Sequence, residues 1–364
     1  MKSKFFTCVL VLATLSPVSA QLAAIPTADW NGLAAASGEA WLWHTYEYQD
    51  CMALVPGFAD AGFGMVDPNN GGSLVAIVPA YLKTHSRSPL LESRGGPALS
   101  GGLSRKQRKS VIAFVRSAMF AAARKVSASV VDLTMASLAS MDARINPLFY
   151  YGVADTSSQT SIIDLTQPET VLWERMEKRT RNAVTYASKK NLEIAGAVAA
   201  DFPVFRDLMR ETVTRTGSNF ADSHYKALWD SFLGPGMLRG YLACEKGGGA
   251  VSVATVRVYK NRANYWNGGE TRRGLACQSQ TFLLWHIIRQ LKSSGVTCLE
   301  MGEVSPLQTN DKKGAIGNFK KSFGGDLYPI YQGRLYCDAW GPVRRDLSAL
   351  RRDLVRFLRG QAPQ

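Results

Sequence analysis

The segment from residue 296 to residue 336 constrains the fold more than any other part of this sequence, because strand, loop and helix signals follow one another there within a short distance. A β-rich run at residues 296–301 ends at Gly302. A polar stretch, residues 303–313, comes next. The pattern predicts a strand followed by a polar loop.

A short amphipathic helix is predicted after this loop. Three apolar side chains recur there at spacings of three and four residues: Ile316, Phe319 and Phe323. Gly324 and Gly325 then break the helix and allow positive φ or a close backbone approach. Apolar and aromatic residues return over residues 326–336, which we interpret as one final strand.

The sequence of residues 319–325, FKKSFGG, preceded by Glu300-Met301-Gly302, resembles the C-terminal signature of the Fem-type aminoacyltransferases. The wider GNAT-like acyltransferases, including the BioF2-like acetyltransferase domain, share this signature. Residues 173–194, WERMEKRTRNAVTYASKKNLEI, resemble a helix and strand of the same family. A looser match joins Tyr265-Trp266 to the helix near residues 280–292. Together the matches cover roughly residues 165–336 in the family's order.

The resemblance implies an α+β fold of two tandem GNAT-like (acyl-CoA N-acyltransferase) domains, each a mixed, mainly antiparallel sheet flanked by helices. The order of predicted elements agrees, because the second half repeats that of the first. A polar stretch at residues 156–160 indicates the boundary. We therefore predict an N-terminal domain over residues 22–160, a C-terminal domain over 161–337, and a basic helix within 338–364 that packs back.

The rest of the sequence predicts one glycine-rich loop, two helices and one strand. Residues 92–102 (ESRGGPALSGG) read as a glycine-rich loop, either a phosphate cradle or a plain surface loop. Residues 105–126 have the period of a basic amphipathic helix. Residues 148–153 are predicted as a strand, and residues 169–190 as one long helix with a basic outer side.

Composition and charge limit the partners of the chain. With 364 residues, of which 46% are apolar, it can bury a large core, most simply in two domains. Lysine and arginine number 43 against 29 acidic residues, for a net charge of +14. Such a charge favours nucleic acid, nucleotide-sugar or CoA substrates, or an anionic lipid surface. A basic solvated surface is the alternative.

The first 21 residues allow two interpretations. Lys2 and Lys4 precede a short apolar run and the sequence SPVSA, which is typical of a secretory signal peptide. The same run also fits a first strand, and it is too short to span a membrane. Since an exported protein would meet neither aminoacyl-tRNA nor acyl-CoA, we predict a cytoplasmic protein, at the inner membrane face, with export as the alternative.

GNAT-type acyl transfer, as the resemblance implies it, needs no covalent enzyme intermediate. An amine loses a proton and attacks a carbonyl, and the resulting oxyanion must be stabilised. The wider superfamily binds CoA through a Q/R-x-x-G-x-G/A sequence, for which residues 271–276 read TRRGLA. The missing first residue favours an aminoacyl-tRNA or another acyl donor, although Arg272 and Arg273 leave CoA open. The following helix is expected to begin near residues 277–280, with Ser279 as its N-cap.

Lys320 is the first candidate catalytic residue. By resemblance it lies in the peptidyltransferase channel, where its cation stabilises the oxyanion or the terminal phosphate of the donor. Glu270 and Glu303 are candidate proton acceptors or amine-orienting carboxylates. The alternative for Lys320 is that it is one of many surface lysines, and the sequence singles out no acid/base pair, since substrate-assisted proton transfer would need neither carboxylate.

The candidate substrate-binding residues are aromatic, basic or glycine. Arg181 falls on the family-like arginine-asparagine pair and can grip a phosphate with two parallel bonds. Trp266 and Tyr265 can line a cleft and stack on a base or sugar, or they can pack in the core. The remaining candidates are Arg272, Arg273, Phe319, Gly324 and Gly325. The six cysteines and four histidines show no metal-ligand spacing, so no metal site is predicted.

Three functions stay open at this point. The first is an N-acyltransferase that moves an acyl or aminoacyl group from acyl-CoA or aminoacyl-tRNA to an amine, such as that of a cell-wall precursor, with no bound cofactor. The second is a non-catalytic protein that binds nucleic acid or anionic lipid. The third is an exported interaction protein.

Overall fold

The computed structural model describes residues 21–23, 25–68, 71–83, 89–216, 222–304 and 312–337. The predicted leader up to residue 20, the predicted C-terminal helix and residues 305–311 of the predicted polar loop lie outside the described residues. We call residues 21–157 the N-terminal half and residues 158–337 the C-terminal half.

The N-terminal half contains three helices and nine strands among its described residues. These are β1 (Gln21–Ala23), α1 (Thr27–Ala36), α2 (Tyr46–Ala53), β2 (Phe58–Asp60), β3 (Phe63–Asp67), β4 (Ser73–Val78), β5 (Tyr81–Lys83), β6 (Leu90–Gly95), β7 (Ala98–Leu99), α3 (Arg105–Lys125), β8 (Val130–Met135) and β9 (Ala154–Asp155). Helix α3 confirms the predicted basic amphipathic helix. It begins at a capping box between Ser104 and Gln107 and buries Val111, Val115 and Met119 against the sheet.

The C-terminal half contains seven helices and eight strands among its described residues. These are β10 (Ser158–Asp164), α4 (Glu169–Arg175), α5 (Lys178–Ala187), β11 (Leu192–Gly196), α6 (Phe202–Thr216), α7 (Asp222–Phe232), β12 (Leu238–Glu245), β13 (Ala250–Tyr259), β14 (Arg262–Glu270), α8 (Arg272–Cys277), α9 (Ser279–Ser293), β15 (Cys298–Val304), α10 (Lys312–Lys321), β16 (Asp326–Ile330) and β17 (Gln332–Tyr336). Helix α9 lies in the apolar core of this half, where nine of its residues are buried.

The strands form three sheets that are mainly antiparallel and flanked by helices, as predicted. Their orders are β1-β3-β4-β7, β2-β5-β6-β8-β17-β9, and β11-β12-β13-β14-β15-β10-β16. The first two belong to the N-terminal half except for β17, and the third belongs to the C-terminal half. The apolar cores also meet, because Tyr48 and Met52 pack in one cluster with Phe205 and Trp229.

The prediction of one final strand over residues 326–336 is wrong. Strand β16 pairs with β10 in the seven-stranded sheet, whereas β17 pairs with β8 and β9 in the six-stranded sheet. Tyr331 separates the two strands: its carbonyl oxygen accepts a 2.9 Å hydrogen bond from the main-chain N–H of Met135. Its hydroxyl donates to the carbonyl oxygen of Ala143 at 2.7 Å. The chain therefore crosses from one half to the other at this buried tyrosine.

Two predictions in the N-terminal half are also wrong. The glycine-rich stretch is not a loop, because residues 90–95 form β6 and pair in parallel with β8, while residues 98–99 form β7. The strand predicted at residues 148–153 is a 3₁₀ helix, Pro147–Tyr151. Its N-cap is Asn146, whose side-chain oxygen accepts from the main-chain N–H of Leu148 at 3.0 Å. Proline at the first position and an asparagine cap outweigh the β propensity of the aromatic residues.

The long helix predicted over residues 169–190 is interrupted. Met176 and Glu177 have extended backbone between α4 and α5, and the Met176 side chain is buried. The main-chain N–H of Glu177 donates to the carbonyl oxygen of Ser322 at 2.9 Å. The interruption of the helix thus allows this main-chain hydrogen bond to the distant FKKSFGG segment.

Two negative findings apply to the described part of the chain. No helix there is long and apolar enough to cross a membrane. No group of three or more histidine, cysteine, aspartate or glutamate side chains there is placed to hold a metal ion.

Candidate active site

The candidate site is a split between two parallel strands of the C-terminal half. Strands β14 and β15 pair in parallel over three positions, from Arg262 opposite Cys298 to Asn264 opposite Glu300. Beyond these positions β14 continues along β13 and β15 continues along β10. No described strand fills the gap between them. The facing edges of β14 and β15 are therefore not paired with each other beyond Asn264 and Glu300.

Both strands carry a bulge where they part. Trp266 is the extra residue on β14, because Thr255 lies opposite Asn267 and Val256 lies opposite Tyr265. One extra residue on β15 falls at Met301 or Gly302. Gly302 has a φ of +83°, a region that favours glycine. Since a bulge bends its strand, the paired bulges account for the divergence of β14 from β15.

Lys320 lies at this split. It leaves α10 with its side chain partly buried, and its Nζ donates to the carbonyl oxygen of Glu303 at 3.0 Å. A Cβ atom added at Gly302 would lie 3.0 Å from that Nζ and 4.0 Å from the carbonyl oxygen of Tyr265. Burial lowers the pKa of Lys320, and the charges of Glu300 and Glu303 oppose that shift. The ammonium therefore rests on the β15 bulge, facing β14.

The two carboxylates near Lys320 differ in exposure. Glu303, a predicted site residue, has an exposed side chain. Glu300, which the sequence analysis did not select, is 6% exposed. Its Oε1 accepts from the Ser137 hydroxyl at 2.5 Å and its Oε2 from Asn264 Nδ2 at 3.0 Å. A lone carboxylate in an apolar strand was the available signal, since such a group must be hydrogen-bonded when buried. Glu300 links the two halves where the split begins.

Trp266 belongs to an aromatic and cationic stack between the halves. Its ring stacks on Tyr225, with centroids 5.1 Å apart and an interplanar angle of 28°. Arg257 Cζ lies 4.7 Å from the Trp266 ring centroid and 4.2 Å from that of Trp43 in the N-terminal half. Arg257 also donates from Nη2 to Asn264 Oδ1 at 3.0 Å. Trp266 is thus engaged in packing, and the sequence analysis missed Arg257.

Tyr265 and Phe319 lie between the split and the apolar core around α9. The Tyr265 hydroxyl accepts from Gln280 Nε2 of α9 at 3.1 Å, and burial raises the pKa of this hydroxyl. Phe319 packs edge-on against Phe323, with ring centroids 5.3 Å apart. Both side chains contact the core cluster around α9. They support the strands that part rather than projecting into solvent.

Glu270 lies away from Lys320, at the far end of β14. Five residues separate it from Tyr265, which corresponds to roughly 16 Å along an extended strand. Burial raises the pKa of Glu270 to about 7, against the opposing effects of Arg215 and of a hydrogen bond from the main-chain N–H of Gln280. This carboxylate therefore faces the first turn of α9.

Most of the TRRGLA segment lies in the short helix α8, with Thr271 as its N-cap. Thr271 caps it by accepting from the main-chain N–H of Gly274 at 3.0 Å. The main-chain N–H of Arg272 donates to a side-chain oxygen of Glu211 at 3.0 Å. Arg273 Nε donates to Glu245 Oε1 at 2.7 Å. The Arg273 guanidinium and the main-chain N–H of Arg272 are thus already bonded to carboxylates.

The predicted N-cap of the following helix is also shifted. Gln278, which has a left-handed backbone conformation (φ 57°, ψ 32°), occupies the N-cap position of α9. Ser279 is instead the first helical residue, and it is buried. The side chain of Gln278 makes no capping hydrogen bond. The first turn of α9 is therefore not capped by its own N-cap residue.

Arg181 and the double glycine Gly324-Gly325 both lie at the C-terminal end of α4. Arg181 Nη1 donates to the carbonyl oxygens of Glu174, at 2.9 Å, and Met176, which caps the end of α4. Gly324 has a φ of +82°, and a Cβ atom there would lie 2.5 Å from the carbonyl oxygen of Arg175. A Cβ atom at Gly325 would lie 2.4 Å from the Ser161 hydroxyl. The two sequence motifs thus meet in a packing contact that orients α10 and Lys320.

One family model matches part of the C-terminal half. Residues 175–313 match the family model described as an acetyltransferase (GNAT) domain. The matched region contains β14 and β15, and so both edges of the split, and it ends before Lys320. No curated protein sequence matches the chain significantly.

Solved structures resemble the fold over most of the chain at low sequence identity. FemX has a TM-score of 0.68 at 12% identity, covering 89% of this chain and 98% of its own. The C-terminal domain (DUF2156) of a lysylphosphatidylglycerol synthetase from Agrobacterium fabrum has a TM-score of 0.50 at 12% identity, covering 85% and 91%. A conserved protein of unknown function from Bacteroides thetaiotaomicron has a TM-score of 0.53 at 9% identity, covering 86% and 99%. Identities this low concern the fold alone.

Proposed function

We infer that this acyltransferase, a FemAB-like protein with a GNAT acetyltransferase domain over residues 175–313, transfers an aminoacyl group from an activated ester to an amine at the split between β14 and β15. The observation that carries the proposal is the partly buried Lys320 ammonium at the place where the strands part, 3.0 Å from the carbonyl oxygen of Glu303. A fixed cation beside unpaired strand edges suits a reaction that develops negative charge on oxygen.

The reaction follows from this arrangement. The amine nitrogen attacks the carbonyl carbon of the donor, a C–N bond forms, and the carbonyl oxygen becomes an oxyanion. Main-chain N–H groups at the split and the Lys320 ammonium stabilise that oxyanion. Its collapse breaks the C–O bond to the donor, and the departing alkoxide takes up a proton. Because Lys320 is partly desolvated, its charge acts on the oxyanion with less screening than in water.

Glu303 is the proton acceptor that we propose for the attacking amine. An ammonium group cannot attack until it loses a proton, and a carboxylate near the reacting nitrogen can accept it. The Glu303 side chain is exposed, and its charge influences the pKa of Lys320, so it lies close to that ammonium. Glu300 is also close, but Ser137 and Asn264 already occupy its oxygens. Glu270 is too distant for this step.

The donor that we propose is aminoacyl-tRNA rather than acyl-CoA. The resemblance to GNAT folds implies that main-chain N–H groups at a helix N-terminus bind the CoA diphosphate, and here the helices concerned are α8 and α9. Here the N–H of Arg272 binds Glu211 and that of Gln280 binds Glu270, so a diphosphate would have to displace two carboxylates. The sequence resemblance to Fem-type enzymes points to the same donor. An acyl-CoA donor is the second candidate.

The acceptor that we propose is the amine of a cell-wall precursor, as the resemblance to the Fem-type enzymes implies. A charged tRNA donor requires a cytoplasmic enzyme. N-terminal sequencing of the protein purified from its own host tests this location. A mature chain that begins at Gln21 would contradict the proposal and favour an exported interaction protein.

A donor screen with a matched pair of variants tests the reaction. Charged tRNAs and acyl-CoAs are each incubated with an amine acceptor, and the loss of free amine is measured. We expect turnover with charged tRNA, and a decrease of about 100- to 1000-fold for Lys320→Ala. Lys321→Ala removes the same charge from the next residue and should retain full turnover.

Circular dichroism and tRNA affinity should be unchanged in both variants. Equal turnover by Lys320→Ala and the wild type would contradict the assignment of the split. Turnover with acyl-CoA but with no charged tRNA would favour the second donor. Absence of turnover with every donor, together with tight tRNA binding, would favour a non-catalytic polyanion-binding protein.

A further inference from the structure

Helix α3 presents a strongly basic outer face on the N-terminal half. It contains seven basic residues and no acidic residue over its 21 positions. Arg105, Lys109 and Arg116 are exposed on this face, and no described carboxylate forms an ion pair with them. Arg108 differs, because it pairs with Glu39. Three cations with a common orientation thus lie on one helix face without a carboxylate partner among the described residues.

Exposed apolar side chains lie beside this basic face. Ile145, Phe149 and Tyr150 are 61%, 73% and 61% exposed, and they account for three of the ten exposed large hydrophobic residues of the described chain. They fall within six positions of the sequence. Leu148 and Tyr151, on the same short segment, are buried and anchor it to the body. The apolar side chains are therefore held outward by a fixed backbone.

A groove of about 800 Å³ joins the two features. Its lining includes Arg105, Lys109 and Arg116 from α3, together with Phe120 and Tyr150. Arg116 Cζ lies 5.7 Å from the Phe120 ring centroid, so the guanidinium is held over an aromatic ring at the groove wall. The groove thus brings the α3 cations next to Tyr150, and Phe149 contacts the Tyr150 ring.

We propose that this surface, made of Arg105, Lys109, Arg116, Ile145, Phe149 and Tyr150, docks the protein onto an anionic phospholipid bilayer. The cations bind the phosphates of the head groups, and the three apolar side chains enter the interface between head groups and acyl chains. Exposed aromatic and aliphatic side chains next to basic ones are the composition that binds such interfaces. The proposal does not depend on the reaction at the strand split.

The apolar residues favour a bilayer over a nucleic acid. Ile145 has no planar face with which to stack on a base. The Phe149 and Tyr150 rings meet at 73° with centroids 6.2 Å apart, so they do not form one flat stacking platform. Insertion into lipid needs apolar area and not a shared ring plane, and all three side chains provide it.

Vesicle flotation with the full chain tests the proposal. The probes are vesicles of phosphatidylcholine alone and of phosphatidylcholine with about 25% phosphatidylglycerol. We expect binding only to the anionic vesicles, and release when the ionic strength rises to about 1 M. The variant Arg105→Gln/Lys109→Gln/Arg116→Gln should weaken this binding by roughly 30- to 100-fold. The variant Phe149→Ser/Tyr150→Ser should weaken it by about tenfold.

A matched control removes three exposed lysines from the C-terminal half: Lys178→Gln/Lys189→Gln/Lys246→Gln. Its affinity should stay within about threefold of the wild type, since the total charge falls equally but the surface is intact. Thermal unfolding checks each variant, and Phe149→Ser alone preserves the test if a multiple variant does not fold. Equal losses in the triple variant and its control would overturn the proposal.

A second outcome would also overturn the proposal. If the two aromatic substitutions leave vesicle binding unchanged, and the α3 triple variant loses affinity for poly(U) but not for vesicles, the surface binds nucleic acid. Retention of vesicle affinity by the α3 triple variant would exclude this surface as the membrane contact.

Discussion

Among its described residues each half contains one parallel strand pair, joined through α3 in the N-terminal half and through α8 and α9 in the C-terminal half, and only the second pair opens. In the N-terminal half, β6 and β8 stay paired over six positions, from Leu90 opposite Val130 to Gly95 opposite Met135. In the C-terminal half, β14 and β15 pair over three positions and then part at their bulges. The same supersecondary unit is thus a closed sheet in one half and a cleft in the other.

The helices of these two units begin differently. Helix α3 is capped by Ser104 and Gln107, whose side chains bond to main-chain groups of its first turn. The N-cap residue of α9, Gln278, makes no such bond, and the N–H of Gln280 binds Glu270 at the end of the split strand. The starts of α3 and α8 are capped by neighbouring side chains, Thr271 in the case of α8, whereas the start of α9 depends on a titratable group. We therefore expect chemical effects from changes in the C-terminal unit and stability effects from changes in the N-terminal one.

The largest effect is expected from closing the split at Gly302. The substitution Gly302→Ala adds a Cβ atom 3.0 Å from Lys320 Nζ on a backbone with φ of +83°. It should displace the ammonium and lower turnover by about 100- to 1000-fold. Gly295→Ala is the matched control, because Gly295 has a φ of +78° with no atom within 4 Å of the added carbon. Both should lose roughly 1 kcal/mol of stability in denaturant unfolding. Equal activity loss in both variants would mean that strain, not Lys320, is responsible.

A smaller effect on activity is expected at Glu303. The substitution Glu303→Gln removes the proposed proton acceptor and should lower kcat by about 100-fold, with little change in donor KM. Glu193→Gln, at another exposed glutamate on β11, is the control and should leave kcat unchanged. Steady-state kinetics with charged tRNA measure both variants. A Glu303→Gln enzyme with wild-type kcat would require a proton acceptor supplied by the substrate.

A change in donor discrimination is expected at Glu270. Its pKa is raised to about 7, so it is mostly neutral at pH 6 and mostly ionised at pH 8. Inhibition by CoA should strengthen by a few-fold as the pH falls from about 8 to 6, because repulsion between Glu270 and the diphosphate disappears. Glu270→Gln should bind CoA equally at both values. A pH dependence that persists in the variant would assign the effect to another group.

The raised pKa of Glu270 also determines how the free energy of unfolding changes with pH. The folded protein holds this proton up to about pH 7, whereas the unfolded chain releases it near pH 4.5. The stabilising effect of the proton is therefore complete below pH 4.5 and is lost as the pH rises through about 7. At pH 8 the Glu270→Gln variant should be more stable than the wild type by about 1–2 kcal/mol, after allowance for partial exposure.

The smallest effect is expected at the cap of α3. The substitution Ser104→Ala removes the hydroxyl that accepts from the N–H of Gln107 and should lower the free energy of unfolding by about 1 kcal/mol. Turnover should not change, since the N-terminal unit has no split. Ser117→Ala, on the exposed side of the same helix, is the control and should alter stability by less than about 0.5 kcal/mol. A loss of turnover with Ser104→Ala would contradict the distinction between the halves.

Local sequence patterns predicted much of the fold. The period of residues 105–126 predicted α3, and the helix that the resemblance placed near residues 280–292 is α9. Both depend on contacts between residues a few positions apart. The double glycine predicted a positive φ or a close approach, and Gly324 and Gly325 provide one of each. The failures at residues 148–153 and 169–190 came from a local cap and from a distant contact, respectively.

The site was less accessible to sequence reasoning. Lys320, Glu303, Tyr265 and Trp266 were selected from motifs, and they lie at or beside the split. Arg181 was also selected, but its guanidinium caps a helix. Glu300 and Arg257 were missed because their partners Ser137 and Trp43 lie more than a hundred positions away in the sequence. Hydrogen-bond partners at such separations leave no periodic pattern.

The sequence by itself determined helices such as α3 and α9 and the glycine positions at which the backbone bends, because these depend on side chains within a few residues of each other. The tertiary structure alone decided that β17 leaves its neighbour β16 for the other sheet. It also decided that the Glu211 carboxylate accepts a hydrogen bond from the main-chain N–H of Arg272, and that β14 and β15 part beside Lys320. The reason is physical: a buried polar group must find a partner wherever the folded chain brings one, and that partner is fixed by packing and not by distance along the sequence.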